Sequence, residues 1–213
     1  MQVAEKVKLT KSGWTIDVRR APFEYEAMQH PAECEAFLKL IARDPPTSYL
    51  EIGAKFGGMV WQVASVMKPG SRIVAVDLPE GTIRWSESEP SLRSCMERLR
   101  DLGHDAHILW GDSTDASIIE RARALGPFDL VFVDANHTER YVRKDWANYG
   151  RLGKVVAFHD IAWWREKCDP RMRIEVPEFW LSVRDQYASA EIKMDPTKQD
   201  NGIGVLWRRS ATI

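Results

Sequence analysis

Two short stretches of this sequence hold side chains able to take or hold a proton. Asp134 and His137 stand in Val133-Asp-Ala-Asn-His-Thr-Glu-Arg-Tyr, and His159 and Asp160 in Phe158-His-Asp-Ile. Each stretch follows an apolar run that reads as a buried strand, residues 128–133 and 154–158. An imidazole with an unperturbed pKa of about 6.5 accepts a proton near neutrality, so His137 is a candidate general base. The competing role is a helix-start histidine that only fixes its loop. A third stretch, Tyr49-Leu-Glu-Ile-Gly-Ala-Lys-Phe-Gly-Gly-Met, leads through a helical run to Arg72-Ile-Val-Ala-Val-Asp77. Gly53, Gly57 and Gly58 remove side chains that would keep a ligand off the backbone and permit positive φ, so the turn is a candidate cofactor seat. A carboxylate at the end of a strand, Asp77, can accept both hydroxyl hydrogens of a ribose.

The elements that must position these groups follow from the patterning. Pro31 opens a helix whose apolar face is Phe37, Leu38, Leu40 and Ile41, and Asp44-Pro45-Pro46 stops it; this helix is expected to cover the sheet edge. Strand 49–52, helix 58–67 and strand 72–76 form a right-handed βαβ unit. Ser91 is the expected cap of a helix reaching about Leu102, and His107 to Trp110 reads as a third strand. Helix 115–124, strand 128–133, helix 138–149, strand 154–158 and a helix from Pro177 to about Tyr187 continue the alternation. Strands apolar on both faces imply a parallel sheet with helices on both sides, a doubly wound α/β domain. Ala190–Met194 and Ile203–Trp207 are joined by too few residues for a helical crossover, so the seventh and last strand is expected to run antiparallel. An open parallel sheet binds ligands beyond the carboxyl ends of its strands, which brings Asp134, His159 and Asp160 together.

Composition narrows the partners. The chain has 213 residues, 44% of them hydrophobic, and no linker or repeat, so one domain is expected over 1–213, with 1–47 an N-terminal helical cap and 48–208 the core. A net charge of −1 gives no global field for nucleic acid or an anionic membrane, leaving a small-molecule partner. Cys34, Cys95 and Cys168 are odd in number and widely spaced, which suits ordinary thiols in a reducing, cytoplasmic setting. The start lacks an apolar signal core, and no run approaches the roughly 20 apolar residues of a membrane span. Residues 1–29 leave three roles open: capping the site, pairing copies in a homo-oligomer, or loose order.

Taken in order, Glu51-x-Gly53-x-x-x-Gly57, Asp77 ending the second strand, Gly111-Asp112 after the third, Asp134 ending the fourth and the antiparallel hairpin finish resemble the class I S-adenosylmethionine-dependent methyltransferases over roughly Ser48 to Trp207. Within that class, the Val133, Phe158 and Val176-Pro-Glu-Phe-Trp stretches look like the small O-methyltransferase-like group that includes the cephalosporin hydroxylase and rhamnosyl O-methyltransferase relatives. The resemblance implies a Rossmann-like fold and S-adenosylmethionine as cofactor, bound by Glu51, Gly53, Gly57, Gly58, Asp77, Asp112 and Asp134. It also implies a metal, Mg2+ or Mn2+, held by Asp134 and the His159-Asp160 pair beside an acceptor hydroxyl. His159 is a departure that suits Mn2+ or Fe2+ as well. His137 falls where catechol-type relatives carry a lysine base, and Met59 follows the glycines where many members have Ser or Thr, which removes one hydrogen bond to the cofactor carboxylate.

The implied activity is O-methylation of a small hydroxylated metabolite, catalysed by His137, Asp134 and Asp160. Other readings stay open. A nicotinamide oxidoreductase would place an acid like Asp77, although Gly-x-x-x-Gly-Gly lacks the spacing of a pyrophosphate cradle. A non-catalytic binding or assembly subunit would keep cofactor affinity alone. Asp112 sits in Gly-Asp-Ser-Thr-Asp, which is also helix-capping sequence, and Asp134, His159 and Asp160 could contact only the cofactor and loop backbone. Trp163 and Trp164, before the basic stretch Arg165 to Arg173, suit a substrate lid, and Trp85 suits a cover for adenine.

Overall fold

The computed structural model describes residues 25–82, 88–162, 173–193 and 201–208. Its strands are β1 (Ser48–Ile52), β2 (Arg72–Asp77), β3 (Asp105–Trp110), β4 (Phe128–Val133), β5 (Gly153–His159), β6 (Ala188–Ile192) and β7 (Ile203–Trp207). They make one sheet in the order β3-β2-β1-β4-β5-β7-β6. The first five are mutually parallel, and β7 is antiparallel to both β5 and β6. The expected mostly parallel α/β sheet with an antiparallel last strand is present. No helix among the described residues is long and apolar enough to cross a membrane.

Six helices among the described residues cover the two faces. On one lie α1 (Pro31–Ile41), α2 (Gly58–Ala64) and α3 (Ser88–Asp101), and on the other α4 (Ala116–Leu125), α5 (Glu139–Tyr149) and α6 (Val176–Val183). Strand alternation sorts the side chains between them. Tyr49, Ile73, Ala75, Leu130, Phe132 and Ala157 pack with α1 to α3, whereas Leu50, Val74, Val76, Val131, Val133 and Phe158 pack with α4 to α6. The same parity sends Glu51, Asp77, Asp134 and His159 toward the α1 side, because each follows an α1-side residue by two positions.

Three expectations need correction. Helix α1 lies on the sheet face rather than its edge: Phe37 packs against Phe132 of the central strand β4, with ring centroids 5.5 Å apart. Ser91 is inside α3, which begins at Ser88, and its hydroxyl donates to the Phe56 carbonyl at 2.9 Å instead of capping the helix. Helix α6 ends at Val183 and tightens into a 3-10 turn over Arg184–Gln186, so β6 starts at Ala188, earlier than expected. Both described cysteines, Cys34 and Cys95, are buried free thiols, and burial first of all pushes the Cys34 thiol up to about 12, which leaves it unreactive at neutral pH.

Candidate functional site

The glycine turn joins β1 to α2 at the carboxyl edge of the sheet. Gly53 has φ +90° and donates its N–H to the Val76 carbonyl at 2.9 Å. A Cβ there would lie 2.3 Å from the Asp134 carbonyl oxygen, so the missing side chain is what lets the loop after β4 close onto the loop after β1. At Gly58 the space is taken by the backbone of Glu26 and Ala27, and at Gly57, φ +85°, by Cys95. The turn is thus a junction of four chain segments as well as a candidate ligand seat.

Around it the strand ends present carboxylates. Asp77 accepts hydrogen bonds from the backbone N–H of Lys55 and, at 2.7 Å, of Leu78, which ties the glycine loop to the end of β2. Burial raises its pKa against the pull of those two donors. Glu51 is fully enclosed beneath the turn and accepts from the Tyr49 hydroxyl at 2.6 Å; burial, its first cause, drives its pKa well up. Asp112 accepts from the Thr114 N–H at 2.8 Å, a local turn. The neighbouring Ser113 is gripped from α5, its hydroxyl donating to Asp145 at 2.7 Å and its carbonyl accepting from Tyr149 at 2.6 Å.

Across the sheet edge Asp134, His137, His159 and Asp160 converge. Asp134 Oδ1 lies 3.3 Å from His137 Nε2 and 3.3 Å from His159 Nδ1. His137 Nε2 is 3.5 Å from Asp160 Oδ2, and His159 Nδ1 is 3.3 Å from Asp160 Oδ1. Asp160 holds φ +61°, a strained conformation for a residue with a side chain, and Oδ1 of this buried residue has no hydrogen-bond partner among the described residues. Burial would raise the Asp134 carboxyl, but the charge of His159 and the bonds from both imidazoles hold it well below the usual carboxylate range. Burial would likewise lower both imidazoles, but the carboxylates outweigh it: His137 is raised and His159 reaches about 9.

The loop carrying His137 is fixed from outside. Its carbonyl accepts from the Glu175 N–H at 2.7 Å, and the Glu175 carboxylate accepts from the Glu139 N–H at 3.0 Å, standing in for the cap that Thr138 does not provide. Thr138 turns back to Asn136.

One ligand atom each from Asp134, His137 and Asp160 lies within 4.8 Å of the others, and an Asp160 oxygen is without a hydrogen-bond partner among the described residues, so the residues fit a divalent cation. The nitrogen in that cluster is His137, whereas the sequence points to His159. His159 stands behind, its side chain 5% exposed against 31% for His137. Sequence reasoning also passes over Gln29, Glu33, Tyr49 and Glu175. A usable signal existed for Glu33 alone, a carboxylate one turn before Phe37 on the apolar stripe of α1. The lid tryptophans Trp163 and Trp164, and Trp85, lie outside the described residues. A groove of about 400 Å3 at the β3 edge, lined by residues including Arg100, His107 and Arg121, contains none of these groups.

A family model described as "Methyltransferase domain" matches residues 50–161. No curated protein matches the chain. Among solved structures, an O-methyltransferase from Bacillus cereus in complex with SAH has a TM-score of 0.62 at 17% identity, with 84% of this chain and 82% of that one covered. The O-methyltransferase TomG from Streptomyces achromogenes, involved in tomaymycin synthesis and in complex with SAM, gives 0.58 at 19% identity, covering 85% and 81%. A methyltransferase from Geobacter sulfurreducens gives 0.58 at 16%, covering 85% and 80%. At these identities the likeness is one of fold.

Proposed function

The chain belongs to the methyltransferase-domain family, and from that premise we propose that it is an S-adenosylmethionine-dependent O-methyltransferase acting on a small hydroxylated metabolite. The observation that carries this reading is the meeting of Asp134, His137 and Asp160 at the carboxyl ends of β4 and β5, beside a donor half made of Glu51, the glycine turn, Asp77 and Asp112. The S-adenosyl compounds in two structures of similar fold support the choice of donor.

When bound, the donor supplies an electrophilic methyl on a sulfonium, and a divalent cation supplies Lewis acidity that weakens an acceptor O–H. Asp134 and Asp160 are the oxygen donors that would hold the cation. Asp77 and Asp112 would hold the nucleoside side of the donor by accepting its hydrogen bonds. His137, the more exposed imidazole, takes the acceptor's proton as the acceptor oxygen is methylated, and the Asp134 carboxylate beside Nε2 stabilises the imidazolium that forms. His159 is too buried to meet an acceptor. Placed between Asp134 and Asp160, it offsets their mutual repulsion.

The test is incubation with methyl-labelled S-adenosylmethionine and a panel of hydroxylated small molecules. Label on a hydroxyl oxygen, lost with chelator and restored by Mg2+ or Mn2+, supports the reading in full. Label appearing only on nitrogen or sulfur acceptors refutes O-methylation, and transfer indifferent to chelator refutes the cation.

A further inference from the structure

Two side chains at the start of α1 reach into the acceptor half from outside the matched family segment. Gln29, the residue before the helix cap His30, is buried and donates its amide to Asp134 Oδ2 at 2.5 Å. Glu33, one turn later, is completely buried. A glutamate at the third helical position ordinarily turns back toward the cap N–H. Here one oxygen accepts from the Gly202 N–H at 3.0 Å, and the other stands 3.9 Å from His159 Nε2. Among the described residues neither Glu33 Oε2 nor His159 Nε2 has a hydrogen-bond partner, so two buried polar atoms, a carboxylate oxygen and a ring nitrogen, face each other.

The result is a continuous line of contacts: Glu33 to His159 Nε2, His159 Nδ1 to Asp134 and Asp160, and Gln29 to the far oxygen of Asp134. We propose that Gln29 and Glu33 are positioning residues of the acceptor half: Gln29 fixes the Asp134 carboxylate, and Glu33 fixes the His159 ring that spaces Asp134 from Asp160, so that together they set the geometry in which a divalent cation is held. This rests on the cation part of the reading above. The chemistry is that of an outer shell. Carboxylates that hold a cation are in turn hydrogen-bonded, and those outer partners orient them. Parity explains why the partners come from α1: Asp134 and His159 both point to the face that α1 covers. Segment 25–29 is held over the glycine turn by Tyr25, whose ring meets Trp61 at 5.3 Å and whose hydroxyl lies 3.3 Å from that of Ser94, so Gln29 enters from an anchored strap.

A merely structural role for Glu33 would be its tie to Gly202, and Glu33→Gln separates the two because the amide oxygen can still accept that N–H. The experiment measures Mn2+ affinity by electron paramagnetic resonance and S-adenosylmethionine affinity by calorimetry on the full chain, the Glu33→Gln variant and the Gln29→Ala variant, with thermal melts. Expected is a Mn2+ affinity lower by about 10- to 100-fold in both variants, with donor affinity changed by less than about twofold. If Glu33→Gln does not fold, Gln29→Ala decides alone, since it lies outside the helix. Unchanged Mn2+ affinity in folded variants overturns the inference. Wild-type protein that binds S-adenosylmethionine but no Mn2+ also overturns it and leaves the donor reading standing. The Mn2+ pattern without any donor binding supports the inference and sinks the methyltransferase reading instead.

Discussion

Replacing Gly53 by alanine tests whether donor and acceptor halves are coupled through one backbone contact. Two costs are separable. With φ at +90°, a residue carrying a Cβ loses about 1–2 kcal/mol, offset by about 0.4–1 kcal/mol from the stiffer unfolded chain. The second cost is steric: the new methyl would stand 2.3 Å from the Asp134 carbonyl oxygen and 2.6 Å from the Ala135 Cα, and because these are backbone atoms no rotamer change relieves the contact. Overpacking of this kind adds about 1–3 kcal/mol, for a total of about 1–5 kcal/mol. In a chain of this size each kcal/mol lowers Tm by roughly 2–4 °C, so the variant should melt about 2–20 °C below wild type, centred near 9 °C. Gly70→Ala is the internal control, since Gly70 has φ +87° and open space around its Cα; it should cost only the conformational part, about 1 kcal/mol. Scanning calorimetry and urea titration of the three proteins read the difference. Equal losses in the two variants would show that the approach of the two loops carries no energy, and the argument that Gly53 couples the halves would fail.

Further outcomes follow from the same geometry. His137→Ala should lower kcat by about 10²- to 10⁴-fold once an acceptor is in hand, while calorimetry finds donor affinity unchanged; an unaltered rate removes His137 from the mechanism. Tyr49→Phe strips the hydroxyl from buried Glu51 and should cost about 1–3 kcal/mol in urea unfolding; a neutral result means the Glu51 carboxyl finds another partner. Asp129, though burial pushes it up, is held at about 2 by Lys154 and Thr47, below its ordinary 3.8. Its folded pKa is depressed, so its contribution is complete above roughly pH 4 and disappears as pH falls toward about 2. Asp129→Asn should therefore lower Tm at neutral pH and flatten the acid limb of the Tm profile, and parallel limbs would contradict this.

Much of the fold was legible because the first five strands carry apolar runs that end on or just before Gly or Asp. Boundaries were less so: Ser91 has the type of a cap, but its hydroxyl is claimed by Phe56 35 residues away, a partner no local pattern reveals. In the candidate site, Asp134, His159 and Asp160 were legible as neighbours because topology brings strand ends together, and His137 because it stands three residues after Asp134. Their division of labour was not. Which imidazole is buried depends on strand parity and on what covers that face, and the cover, Glu33 of α1 and Gln29 just before its cap, comes from more than a hundred residues earlier. The glycines were legible as a turn, but not as the place where Asp134 and Glu26 backbone take up the vacated space.

The glycine turn, with Glu51, Asp77 and Asp112, is the proposed seat of the methyl donor. Calorimetric titration of the full chain with S-adenosylmethionine tests it most directly. Saturable one-to-one binding is expected in the range typical of enzyme substrates, about 1 μM to 1 mM, weakened by Asp77→Ala and insensitive to His137→Ala. No heat of binding at any concentration in that range, or binding indifferent to Asp77→Ala, would contradict the account.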